Sequence, residues 1–364
     1  MNKSALKKMS TLFETAQYCH SILPFWRPGY LKVLSRACHI CRTGRFEPYE
    51  AFRLGLFQPN FPDSQIKNYT SRKNTTKLQK LLNPVSWEPL LRDKGLFYRY
   101  LMALKLPMPK LYAIFFQKVP GWSPQGSMPA GRAEWEQFLA KIPAEEFVIK
   151  PCRSAFGTAV KIFQRTADGF TDTDKKIFNV TNIYNMMRTE QRFDSFVIQE
   201  RLRNHPEIRR LSPSEFLQTV RVTTFIDRNG CCRILFAFFK LIGSNNITDN
   251  FGDGRNGNML AAVRTDNGRL EPAVITAPDG KGAIYFQKHP FTNIEFESFE
   301  IPFWADIIAL AKKTAVQFLP LRTIGWDIAV TSEGPKIIEG NMWWNPLNRR
   351  QWKNIIEADL PYNL

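Results

Sequence analysis

Residues 323–345 read TIGWDIAVTSEGPKIIEGNMWWN, and this stretch decides the fold. Two apolar runs, IGWDIAV and PKIIEGN, flank the turn formers Ser332-Glu333-Gly334-Pro335, so the simplest reading is two paired strands. Asp327 stands near the start of the first run, and Glu339 and Asn341 end the second. Side chains two apart on an extended strand point the same way, so Glu339 and Asn341 share a face, and pairing brings Asp327 to meet them. Two carboxylates and an amide are hard oxygen ligands. Such a set suits Mg2+, which combines one or two carboxylates with phosphate oxygens rather than an all-protein cage. The alternative is a hairpin with acidic residues merely at its ends.

The chain has 364 residues, 44% hydrophobic and 13% aromatic, which is enough for two or three packed lobes and excludes a disordered chain. No run of 18 apolar residues occurs, so no segment is expected to span a bilayer. The opening MNKSALKKMS lacks the apolar core and cleavage site of a signal peptide, and a cytoplasmic protein is expected. Six cysteines without a secreted-framework spacing, two of them adjacent at Cys231-Cys232 in a strand-like run, agree with a reducing compartment. Cys38-His39-Ile40-Cys41 lacks a second ligand pair at suitable spacing, so zinc is not expected there. The net charge of +17 is uneven: residues 1–110 carry 19 Lys+Arg against 6 Asp+Glu, and residues 111–364 carry 31 against 27. On this count the basicity belongs to the N-terminal third and not to the site.

Residues 1–90 are expected to be basic and largely helical, broken by Pro24 and Pro28-Gly29, with a second helix over 30–42. Bases interleaved with rings and aliphatics suit either a helix packed on the body or one lying on an anionic membrane surface, the latter through residues 1–45. Nucleic acid is a weaker partner, because no reader motif is present. Further on, LLRDKGLFYRYLMALKLPMP predicts a helix headed by Asp93-Lys94 and stopped at Pro107, followed by a strand LYAIFF. Residues 147–150 form a strand ending in Lys150-Pro151, then a turn with Ser154 and Gly157, then a second strand from about 159 to 163. A strand lysine facing a small-residue turn can grip phosphates by charge while turn N–H groups cover them. Strands follow at 196–199, in LQTVRVTTFID and CCRILFAFFKLIG around Arg228-Asn229-Gly230, and as a pair near 259–275. The Asn- and Gly-rich run 243–258 between them is a loop of the kind that contacts substrates, and a helix over 303–318 precedes the opening stretch.

Four elements thus occur in order: Asp93-Lys94 before a helix, FVIKP at 147–151, Val197-Ile198-Gln199-Glu200, and Asp327 with Glu339-Gly340-Asn341. This order resembles the ATP-grasp enzymes. Gln199-Glu200-Arg201-Leu202, His205-Pro206, Thr219 with Arg221, Asp249-Asn250-Phe251, His289-Pro290, Gly325-Trp326-Asp327 and Ile338-Glu339-Gly340-Asn341 resemble more narrowly the sugar-transfer-associated branch, over about residues 30–350. The resemblance implies an α/β (α+β) fold whose two lobes clasp ATP. The smaller, ATP-covering lobe falls at about 112–200 and the larger at about 201–364, within a catalytic region spanning 91–364.

The resemblance further implies that Lys94 and Lys150 contact the ATP phosphates with Ser154 in the covering turn. It places adenine at Gln199, Glu200 and Leu202, the ribose at Glu207, and Mg2+, as two ions, at Asp327, Glu339 and Asn341. The implied reaction activates a carboxylate as an acyl phosphate that an amine then attacks, giving an amide, ADP and phosphate. Arg221 can share a strand face with Thr219 and Thr223 and hold the γ-phosphate or the tetrahedral intermediate, or it is a surface strand arginine. Asp249, Asn250 and His289 are candidates for the acidic sugar or amine acceptor. Trp343, with Trp344, offers either a stacking platform or core filling, and Asn345 lies beside them. The covering turn, CRSAFG at 152–157, is poorer in glycine than is usual in the family, and Met342-Trp343-Trp344-Asn345-Pro346 stands where a Pro-Gly pair is common.

Overall fold

Proline and glycine punctuation sets the N-terminal helices. The structure, a computed structural model, describes residues 3–155, 157–243, 246–252, 256–277, 279, 282–346 and 351–360. Helices α1 (Lys3–Ile22) and α2 (Tyr30–Gly44) are separated at Pro24 and Pro28, and Gly29 enters α2 with a left-handed φ of 90°. With α3 (Pro48–Arg53) and α4 (Asp63–Ile66) they bury a core of their own, including Cys19, Val33, Ala37, Ile40, Phe52 and Phe57. Arg36 is not offered to solvent. Its guanidinium donates to Asp63 and to the carbonyls of Leu56, Gln58 and Phe61, tying the loop after α3 to α2.

Helix α5 (Arg72–Leu82) starts at Ser71, whose hydroxyl accepts from the Asn74 N–H, as an N-cap does. It ends at buried Asn83, whose amide bonds both the N–H and the carbonyl of Thr323. The short α6 (Glu88–Arg92) leads into α7 (Lys94–Ala103), capped by Asp93.

The first sheet takes β1 (Leu111–Phe116), β2 (Glu146–Pro151), β3 (Lys161–Thr166), β4 (Gly169–Thr171), β5 (Ile177–Phe178) and β6 (Ser195–Glu200), in the order β1-β6-β2-β3-β4-β5. Helices α8 (Arg132–Ala140) and α9 (Val180–Thr189) cover one face, burying Trp135, Leu139, Ile183 and Met187 against Phe115, Phe147 and Phe163. The sequence reading placed no helix at either position. For α9 a legible signal exists: Asn179 and Asn182 form a reciprocal capping box.

After α10 (Pro206–Leu211), the second sheet takes β7 (Thr219–Ile226), β8 (Cys232–Leu241), β9 (Met259–Val263), β10 (Leu270–Thr276), β11 (Ala283–Phe286), β12 (Thr323–Thr331) and β13 (Gly334–Asn341), ordered β11-β10-β9-β8-β7-β12-β13. Every pairing in both sheets is antiparallel, so the architecture is α+β. Alternation gives the second sheet two unlike faces. Val220, Val222, Phe239 and Ile328 join the core with Ile307, Leu310 and Ala311 of α11 (Trp304–Gln317), while Arg221, Phe238 and Asp327 face the other way. Helix α12 (Gln351–Asp359) packs Trp352 and Ile356 against Leu82, Phe225 of β7, Leu235 of β8 and Trp344.

Candidate active site

Between the sheets runs a cleft of about 1320 Å³. One end is lined by Val148, Ile162, Leu202 and Ile338 together with Gln199 and Glu200. The side-chain oxygen of Gln199 is buried and accepts no hydrogen bond, which leaves an acceptor for a ligand's amine. Glu200 is held in place by the Lys110 N–H at 3.0 Å, with Lys336 at 3.7 Å. This end of the cleft is apolar with a few polar groups at its edge, the character of a small-molecule site.

Lys94 and Lys150 come together next to it. Lys94 stands on the first turn of α7 and donates to the Ser154 carbonyl at 2.9 Å. Lys150, at the end of β2, donates to the Tyr98 hydroxyl at 2.8 Å, and that hydroxyl donates to the Ile338 carbonyl at 2.8 Å. Burial, then repulsion from Lys94, pushes the Lys150 amine down to about 7, against a smaller opposing pull from Glu339. Two lysines crowded in a buried place are destabilising by themselves; an anionic ligand between them reverses the sign. The covering turn reaches across the cleft: a Cβ on Gly157, at φ 71°, would lie 2.4 Å from Thr248 of the 243–258 loop. That approach requires glycine.

The hairpin register brings the acidic groups together. Asp327 pairs with Glu339 and Gly325 with Asn341, with a bulge after Asp327. On its other side Asp327 pairs with Arg221. Arg221 grips both Asp327 oxygens, at 2.7 and 2.6 Å, and Lys240 adds a third contact at 3.1 Å while also reaching Asp249 at 3.2 Å. Burial alone would raise the Asp327 carboxyl, but the Arg221 and Lys240 charges more than offset it and hold it at about 2. Asp249 also accepts from the Thr219 N–H and hydroxyl. Arg221 is therefore neither a surface arginine nor an idle cation; in this state it neutralises the carboxylate that is the candidate metal ligand. Lys240 was missed by the sequence reading. Its signal was a lone charge in the apolar run ILFAFFKLIG, in phase with Phe238.

The donor set fits Mg2+ in kind. Asp327 and Glu339 supply carboxylates, and Asn341, whose amide nitrogen lies 3.4 Å from Asp327, supplies an amide oxygen on a half-turn of its side chain. Among the described residues no group of three or more His, Cys, Asp or Glu is placed to hold a metal ion by itself, so the remaining ligands would come from phosphate and water, as Mg2+ prefers.

Ser154, Leu202, Asp249, Asn250, Trp343 and Asn345 all line the same cleft. The two tryptophans part ways: Trp343 faces the cleft, while Trp344 is buried, donating to the Thr323 hydroxyl. Two sequence candidates are not in it. Glu207 lies on α10, which the His205-Pro206 start turns outward, and pairs there with Arg210 at the surface. His289 is buried outside the cleft, where its Nδ1 faces the Phe291 and Thr292 N–H groups at 3.4 Å, and burial lowers its imidazole to about 4. The charge of the cleft also differs from the sequence expectation. Arg53, Arg72, Arg92 and Lys94, all from the N-terminal third, line the cleft, so its basicity is part of the site.

Two antiparallel sheets thus clasp the cleft, with Lys94 and Lys150 at one wall and the Asp327–Glu339–Asn341 hairpin at another. The model of the family described as sugar-transfer associated ATP-grasp matches residues 73–354, and the chain belongs to that family, part of the ATP-grasp superfamily of ATP-dependent ligases. Comparison with curated proteins gives no match. Among solved structures, the chain is similar to a RimK domain ATP-grasp protein from Sphaerobacter thermophilus, at 13% identity over 76% of this chain and 70% of that one, with a TM-score of 0.40. It is also similar to an L-amino acid ligase from Bacillus licheniformis (10% identity, 75% and 46%, TM-score 0.37). A biotin carboxylase from Campylobacter jejuni, solved as a β-γ-ATP complex, gives 10% identity, 80% and 52%, and a TM-score of 0.44. The chain spans about half the length of the last two.

Proposed function

We propose that this protein is an ATP-dependent carboxylate–amine ligase that works through an acyl phosphate, joining an amine or amino acid to an acidic sugar in cell-surface polysaccharide or glycoconjugate synthesis. The observation that carries the reading is the convergence of Lys94, Lys150, Arg221, Asp327, Glu339 and Asn341 on one cleft, beside an apolar end lined by Val148, Ile162, Leu202 and Ile338. In this scheme Gln199, Glu200 and Leu202 seat adenine, and Lys94, Lys150 and the Ser154 turn hold the triphosphate. Asp327, Glu339 and Asn341 would hold Mg2+, which when bound neutralises phosphate charge. A substrate carboxylate oxygen attacks the γ-phosphorus, the bond to the β-phosphate oxygen breaks, and ADP leaves. The amine then attacks the acyl carbon and loses a proton as phosphate departs. Arg221, relieved of Asp327, is placed to steady charge on the transferring or tetrahedral group. Positioning and charge compensation carry this chemistry, so no side-chain nucleophile is needed.

ADP release over a panel of uronic and amino acids with amines tests the reading. Glu339→Ala is expected to cut turnover by at least about 100-fold, as loss of one transition-state charge contact does. Retained turnover in that variant would sink the mechanism. Substrates confined to amino acids would move the product to a small peptide-like metabolite.

Residues 1–45 carry the peripheral membrane contact in this proposal. Leu6, Met9 and Phe13 repeat along one face of α1 and are exposed; the line continues through His20, whose ring packs on exposed Phe25 and Trp26. Exposed Leu31 and the bases Lys7, Lys8, Arg27 and Lys32 surround them. Apolar groups ringed by cations fit an anionic lipid surface. Among the described residues, no helix is long and apolar enough to cross a membrane.

A further inference from the structure

The cleft does not end at the metal ligands. Directly paired residues on neighbouring strands point to the same side of a sheet. The register therefore runs in one row through Glu339, Asp327, Arg221, Phe238 and Ala262, and in a second through Lys240, Leu260, Val274 and Tyr285. All nine line the cleft. The charges stand at the β13, β12 and β7 end with Lys240 on β8; beyond them the floor is Phe238, Leu260, Ala262 and Val274, wholly apolar.

At the far edge the floor meets a wall. Tyr285 on β11 is 66% exposed, and opposite it Arg53, Leu54, Tyr69 and Arg72 of the helical region line the same cleft. The two sides touch: a Cβ on Gly55 would lie 3.7 Å from the Gly282 Cα, just before β11. Glu50 organises the wall by accepting from the Arg72 backbone N–H at 2.7 Å, and it offsets part of the positive charge that Arg53 and Arg72 place beside it. These wall residues precede the 73–354 family match. Four strand spacings separate β7 from β11, so the groove extends about 19 Å from Arg221. A volume of 1320 Å³ exceeds the roughly 1000 Å³ upper range for one small ligand, which leaves room beside a nucleotide.

We propose that this groove is the acid-substrate site and that it takes a glycosyl phosphate bearing a carboxylate. The carboxylate sits at the Arg221 and Lys240 end, a sugar ring lays its C–H face on the apolar floor, and the phosphate is taken by Arg53 and Arg72, whose guanidinium forks match phosphate oxygens. This rests on the ligase reading and names the acid that it activates. The N-terminal region thereby becomes part of the catalytic unit.

Calorimetric titration of the full chain with Mg2+ and a non-hydrolysable ATP analogue present tests it, using glucuronic acid 1-phosphate, UDP-glucuronate and free glucuronate as probes. Both phosphates are expected to bind, and Arg72→Ala to weaken both at least tenfold while leaving the nucleotide analogue and free glucuronate unchanged. Val274→Trp, which fills the floor, is expected to abolish binding of all three sugars at an unchanged melting temperature. Equal affinity for the two phosphates assigns the bare phosphate, and tighter binding of UDP-glucuronate assigns a nucleotide-linked source. Absence of binding by both, or binding indifferent to Arg72→Ala, overturns the groove assignment. If the nucleotide analogue still binds in that case, the ligase reading stands; if it too fails, both fall.

Discussion

Replacing Lys150 by Met should make the nucleotide-free protein more stable. The amine is buried and lies beside Lys94, and together these lower it from 10.5 to about 7. Below pH 7 folded and unfolded chains both carry the proton, and the folded state bears the full cost of the buried charge. At about 1.4 kcal/mol for each tenfold loss of proton affinity, lowering the amine from 10.5 to about 7 corresponds to roughly 5 kcal/mol. Between 7 and 10.5 the unfolded chain binds the extra proton, so stability rises with pH and the cost fades; above 10.5 both forms are neutral. From about pH 6 to pH 8.5, about 2 kcal/mol of it is relieved. Methionine matches the stem of lysine without the charge, and Tyr98 keeps its bond to the Ile338 carbonyl. Thermal unfolding without nucleotide should therefore show Lys150→Met melting several degrees above the parent near pH 6, with the gap narrowing toward pH 8.5. Titration with Mg2+ and ATP should show the opposite ranking, because the variant has lost a phosphate contact. A variant no more stable than its parent near pH 6, or a gap that ignores pH, would refute the argument that the lysine is held in strain for its ligand.

Asp327→Asn removes the partner that Arg221 grips with two bonds and leaves two buried cations around a neutral amide, a loss of about 3–5 kcal/mol measurable by urea unfolding. Gly340→Ala places a Cβ 2.7 Å from Leu91 and 3.0 Å from the Trp326 ring, and overpacking of that kind costs about 1–3 kcal/mol on the same measurement. Flotation with phosphatidylglycerol-containing vesicles should recover the parent chain and not a Phe13→Ser, Trp26→Ser double variant. Equal recovery of the two would remove the membrane contact from the proposal.

Much of the site was legible because it is local. Asp327, Glu339 and Asn341 sit on adjacent strands joined by a short turn, so period-two alternation and the turn residues suffice to place them. Lys94 and Lys150 were assigned through the family resemblance, whereas Tyr98, which holds Lys150, lies in a helix with no sequence mark of its own. Glu207, which the resemblance assigns to the ribose, lies outside the cleft because the chain turns outward at Pro206. His289 lies outside the cleft because its imidazole packs within a loop against Phe291 and Phe296.

By itself, then, the sequence determined most of the strands and several helices, though not α8 and α9, together with the hairpin with its hard oxygens and the family. Those properties depend on neighbours within about ten residues and on ordered motifs. Only the tertiary structure decided that Arg221 and Lys240 clamp Asp327, that Trp343 faces the cleft while Trp344 is buried, and that Arg53 and Arg72 wall the same cleft. Each of these is a contact between segments far apart in the chain. Such contacts are set by sheet order and by the packing of the helical region against β11, which local periodicity does not encode.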